Sequence, residues 1–254
     1  MTLRGLGIGL LLAPLVAGLW RAGLPLAQAA TAPQPEVPGA RHPGTGPAMP
    51  GPVLTLVDGA FQTMRSTHYQ HHTEVDTERG IYGFDCVGLV SWALRKSTPQ
   101  AWTSLVQRMA IAPGRIPSPP TLVRFLQGLH QRPAPGWQAV ANVEVLQPGD
   151  VISWEHRSSH ASGHALILAS RPRRDGEGTW LVEVFDSTST PHADDSRPSD
   201  QRALRWERTG RRSGLGHGVM ALISAPGEGT LIGFRWRPGG PTVLAPVAAG
   251  RPLN

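Results

Sequence analysis

Apolar residues in the first half of the chain recur at helical spacing, whereas those in the second half gather into short runs. Leu54, Val57, Phe61 and Met64 fall near a 3.6-residue period, with Asp58 on another face, and predict a helix over residues 53–67. From Val87 to Leu94 the chain is apolar on most faces. Asp85 is a good N-cap, Arg95 and Lys96 complement the negative end of the helix dipole, and Thr98-Pro99 stops the run. These features predict a buried helix of about ten residues, packed against the helix before it. Residues 101–112 and 119–130 predict two more helices, the second opening on Pro119-Pro120 and carrying Leu122, Phe125, Leu126 and Leu129 on one stripe.

Strand-type runs follow. Gln147-Pro148-Gly149-Asp150 is a turn feeding a strand over residues 151–154, and residues 155–163 read as a polar loop containing His156 and His160. Residues 163–169 and 181–186 read as a hairpin closed by the polar turn 171–178. His164 opens its first strand and Asp186 ends its second, so antiparallel pairing brings both to one end of the sheet. Residues 218–224 and 230–236 extend that sheet. Helices first and strands after them indicate an α+β domain, with the Val87–Leu94 helix on an antiparallel sheet.

The ends differ in character. Arg4, the apolar run 5–20 and Ala27-Gln28-Ala29 have the layout of a secretory signal over residues 1–29, so an exported protein of the periplasm or cell envelope is expected, with no stable membrane insertion after cleavage. Residues 30–52 are rich in Pro, Gly and Ala and read as a linker; residues 53–237 read as the domain, and 238–254 as a disordered tail. The formal charge of +6 falls to +4 if Arg4 and Arg21 leave with the signal, a balance that suits an anionic envelope. Nothing in it calls for nucleic acid, and a monomer is expected.

Composition sharpens the chemistry, because 254 residues contain one cysteine. An exported chain with a single thiol forms no internal disulfide, so Cys86 is an apolar filler, an intermolecular link or a reactive group. Its place in the first turn of a helix, beside unpaired backbone N–H groups, favours negative charge on the sulfur and stabilises an oxyanion. His164 then serves as the base and Asp186 as the group that orients it. The loop after Asp186 places His192 and Arg197 where they would meet a substrate carboxylate. His68, His71 and His72 form a dense histidine cluster, read as a polar loop because no cysteine or carboxylate completes a ligand spacing; no metal or cofactor is expected.

Gly83-Phe84-Asp85-Cys86-Val87-Gly88-Leu89-Val90, Leu146-Gln147-Pro148-Gly149-Asp150-Val151 and Gly163-His164-Ala165-Leu166-Ile167-Leu168-Ala169 resemble, in order, three motifs of the NlpC/P60 cysteine peptidases, over roughly residues 55–190. The resemblance implies a papain-like fold and cleavage of an amide in peptidoglycan, with Cys86 as nucleophile, His164 as base and Asp186 as third member. It also implies substrate contacts at Tyr82 and Asp85. Val87 stands where the family usually has a serine associated with the amino end of the stem peptide. That points to an acyl group without a free amino end. The competing expectation is a non-catalytic envelope-binding or scaffold protein on the same fold.

Overall fold

The cysteine-bearing helix forms because local signals agree. Asp85 is extended, its Oδ1 accepts from the Gly88 N–H at 2.7 Å, and the helix then runs Cys86–Ser97 with every side chain from Cys86 to Leu94 buried. The computed structural model describes residues 51–156 and 163–254. The expected signal and most of the expected linker lie outside the described residues, as does the part of the polar loop that holds His160. Among the described residues no helix is long and apolar enough to cross a membrane.

In chain order the elements are α1 (Pro52–Thr63), β1 (Ser66–His68), β2 (Glu74–Asp76), β3 (Ile81–Gly83), α2 (Cys86–Ser97), α3 (Pro99–Arg108) and α4 (Pro119–Gly128). There follow β4 (Trp137–Ala139), a 3₁₀ turn (Val143–Val145), β5 (Val151–Glu155), β6 (Gly163–Leu168), β7 (Arg173–Gly176), β8 (Thr179–Thr188), β9 (Gly214–Ser224), β10 (Leu231–Arg235), β11 (Val243–Leu244) and β12 (Val247–Pro252). The class is mixed α and β. The large sheet is antiparallel throughout, in the order β11-β10-β9-β8-β6-β5-β12-β4 with β7 hydrogen-bonded to β8. Helix α2 packs on β6 and β8 and is flanked by α1 and α3, while α4 covers β5 and β12.

Three expectations are corrected. The first helix stops at Thr63, not at 67, because Met64 turns extended and residues 66–68 pair in parallel with β3. Thr67 fastens this small sheet to the large one: its hydroxyl donates to the Tyr82 carbonyl at 2.8 Å and accepts from the Leu215 N–H at 2.8 Å. The segment expected as the 171–178 turn contains strand β7, so β6 and β8 are joined by more than a hairpin loop. The tail is ordered. Residues 247–252 lie between β5 and β4, and the Arg251 guanidinium grips the buried Asp150 carboxylate (Nε to Oδ1 2.7 Å, Nη2 to Oδ2 3.0 Å). Small residues there reflect close packing under α4, not a lack of structure: a side chain at Gly250 would meet Leu126 Cδ2 at 2.6 Å.

Candidate active site

The N-terminus of α2 presents Cys86 at 6% exposure, with Asp85 as its cap. His164 is the second residue of β6, paired with Trp154 of β5. Its ring is wedged against Trp154 and Trp236, each with ring centroids 5.1 Å away. Its Nε2 lies 2.6 Å from Asp186 Oδ2, and the Cys86 thiol is near enough to the imidazole to act on its charge. His164 and Asp186 thus meet at one end of the sheet, as antiparallel pairing of their strands expects, with Cys86 close to the imidazole. Burial alone would lower the His164 pKa; the charge of Cys86 and the hydrogen bonds to Asp186 and Cys86 outweigh it and raise it from 6.5 to about 10.

Asp186 is completely buried and saturated with donors. His192 Nε2 reaches the same Oδ2 at 2.9 Å, and Arg197 Nη2 pairs with Oδ1 and donates to the Asp186 carbonyl at 2.8 Å. Burial would raise the Asp186 carboxyl, but the charges of Arg197 and His192 and the hydrogen bonds from both histidines hold it well below the usual carboxylate range. Asp195 completes the group. It accepts from Arg197 Nη1 at 2.5 Å and from the His192 backbone N–H at 2.8 Å.

This geometry corrects the substrate-contact assignments. His192 and Arg197 are buried, at 3% and 0% exposure, and point into Asp186, so neither is placed to read a substrate carboxylate. Strand β9 makes room for them, since a side chain at Gly216 would meet Arg197 Nε at 2.5 Å. Tyr82 sits in the hydrophobic core against Trp92 and Phe84, a packing residue and not a mouth residue. Asp85 alone of the four keeps some access, with Oδ2 at 3.5 Å from Nδ1 of the exposed His71. The other two histidines of that cluster take separate partners: His68 meets Gln70 at 2.5 Å and His72 approaches Glu74 at 3.9 Å.

Tyr69 is the residue that sequence reasoning missed. Its phenol is pushed above the ordinary tyrosine pKa by burial and by the negative charges of Cys86 and Asp85, opposed by Arg208, so it stays neutral. Its ring sits edge-on to Trp206 at 5.6 Å, which brings the turn after Leu204 to the site. Among the described residues His164, Asp186 and His192 offer the one grouping dense enough to suggest a metal, with ligand atoms within 4.8 Å of one another. Oδ2 is already at hydrogen-bonding distance from both imidazoles, and a guanidinium occupies the other side of the carboxylate, which is a hostile neighbour for a cation.

The arrangement is suited to nucleophilic chemistry at an acyl carbon: a thiol at a helix N-terminus, a base close to it, and a buried carboxylate fixing the base. No protein-family model, curated protein or solved structure matches the chain.

Proposed function

We propose that this chain is an exported thiol hydrolase of NlpC/P60 type, with a papain-like fold, that cleaves an amide or peptide bond in peptidoglycan. The observation that carries the reading is the convergence of Cys86 and Asp186 on the His164 imidazole, with the Nε2 to Oδ2 distance of 2.6 Å. The Cys86 thiolate attacks the amide carbonyl, and the oxyanion accepts from the Cys86 N–H, which has no intrahelical acceptor in the first turn. The His164 imidazolium gives its proton to the leaving amine as the C–N bond breaks, leaving a thioester on the sulfur. Water, losing a proton to His164, adds to that thioester, and the acid departs as the thiolate is restored. Asp186 holds the imidazole throughout.

Val87 supports an acyl group without a free amino end, such as an intact muropeptide. The direct test is mass spectrometry of products from intact sacculi and from trimmed stem peptides, run with Cys86→Ala and His164→Ala. Cleavage by the parent and none by either variant is expected. A variant that retains activity rejects the mechanism.

A second reading, an envelope-binding protein that has kept the fold without the chemistry, draws on the 6% exposure of Cys86, a value suited to an apolar filler. Iodoacetamide separates the two. Alkylation of Cys86 at neutral pH faster than a free cysteine favours the hydrolase, and a protected thiol favours the scaffold.

A further inference from the structure

His192 has no part in the steps above, yet it is held more tightly than most side chains in the molecule. Its ring is inaccessible to solvent and stacks on the Trp236 indole at 4.1 Å and 25°. Nε2 lies 2.9 Å from Asp186 Oδ2, and Nδ1 lies 3.2 Å from the Trp236 carbonyl oxygen. A backbone carbonyl only accepts. An ionised carboxylate only accepts, and Asp186 is kept ionised by the Arg197 guanidinium on its other oxygen. Both ring nitrogens of His192 must therefore carry a proton.

We propose that His192 is a positioning residue with a proton on each ring nitrogen which, by sharing Asp186 Oδ2 with His164, limits how tightly His164 holds its proton. The proposal deepens the hydrolase reading and rests on it for its catalytic meaning. Charge balance supports it. The buried Asp186 and Asp195 carboxylates face Arg197, leaving one negative charge that a protonated His192 cancels. The Cys86–His164 pair is then free to pass a proton between its members without changing the net charge of the surroundings. The stacked indole adds a face that favours a cation.

The charged groups around His192 are His164 from β6, Asp186 from β8, Asp195 and Arg197 from its own loop, and Arg237, next to the stacked Trp236, whose Nη2 donates to the Pro191 carbonyl at 3.3 Å. Strand β9 contributes Gly218, whose missing side chain leaves room for the His192 Cβ that would lie 2.8 Å away. An unshared carboxylate would draw the His164 proton more strongly, and an imidazolium that grips its proton is a poor donor to a leaving amine. Charge on His192 weakens that grip through the common oxygen.

The test uses the full-length chain with ¹⁵N-labelled histidine. Long-range ¹H–¹⁵N spectra at neutral pH should show two buried rings with both nitrogens protonated, His164 and His192, the second assigned by its loss in His192→Gln, or in His192→Asn if the first variant does not fold. The glutamine keeps a donor for Asp186 but not the charge. Its alkaline limb, followed both in Cys86 alkylation and in peptidoglycan hydrolysis, should move to higher pH, with kcat lowered about tenfold, the scale of one charge-assisted hydrogen bond, and KM unchanged. A bare ring nitrogen on His192, or an unmoved alkaline limb in a folded variant, overturns the proposal. The spectra and the alkylation need no substrate, so a failure to cleave peptidoglycan would strike the hydrolase reading and leave these two readouts standing.

Discussion

Replacing Arg197 with alanine tests whether this side chain holds the site together or reads a substrate. Its Nε donates to the Gly214 carbonyl at 2.8 Å, Nη1 to Asp195 at 2.5 Å, and Nη2 to both the Asp186 carbonyl at 2.8 Å and its carboxylate. Breaking a buried ion pair by removing one partner costs about 3–5 kcal/mol. The lower end is expected, because Asp186 keeps both histidines as donors and Asp195 keeps the backbone N–H groups of His192 and Arg197. For a domain of this size about 3 kcal/mol lowers Tm by roughly 10 °C, readable by circular dichroism. Arg197→Lys retains the charge, but a single ammonium cannot span two carboxylates and two carbonyls, and about half the loss should remain. Acid provides an internal control. Asp186 has a folded pKa below the ordinary 3.8, so its stabilisation is present above that value and is lost as pH falls through the folded one. The gap between parent and Arg197→Ala should therefore close in strong acid. An unchanged Tm at neutral pH, with only KM raised, would refute the buried-anchor account and return Arg197 to the substrate.

The His164 pKa, raised from 6.5 to about 10, lies above that of the unfolded imidazole, so its contribution is complete below pH 6.5 and disappears as pH rises through about 10. The parent should lose Tm across that window, and His164→Gln should lose little. In Gly216→Ala the new methyl would lie 2.5 Å from Arg197 Nε, whose other contacts prevent it from retreating. A loss of about 1–3 kcal/mol in denaturant melts is expected, together with slower peptidoglycan hydrolysis. Asp85→Ala deletes the cap on the Gly88 N–H at 2.7 Å and should cost about 1 kcal/mol in the same melts.

What was legible in the sequence depended on how local the cause was. Helix α2 announces itself between Asp85 and Pro99, because cap, apolar run, basic end and following proline all sit along it. The meeting of His164 and Asp186 follows from strand-forming runs on either side of a polar turn. The burial of His192 and Arg197 was not legible. A polar segment with no apolar period reads as a solvated loop, and what draws it inward lies elsewhere: the Asp186 carboxylate, the Trp236 ring, and the floor of β9 at Gly216 and Gly218. The alternating glycines of Leu215-Gly216-His217-Gly218 were the available signal that another part of the chain approaches that face. Residues 247–252 escaped for a related reason. A strand roofed closely by a helix uses Ala and Gly, and that composition is shared with linkers.

That strand also dictates an order of assembly. Among the described elements β4 has its only sheet partner in β12, with Trp137 opposite Pro252, and β5 has β12 along one whole edge. Until β12 arrives, β5 is an open edge, Asp150 lacks its guanidinium, and β4 has no partner among the described strands. Such distant pairing is slow, because a long loop must close before any contact repays it. The large sheet can therefore close at β5 and β4 only after β12 has docked.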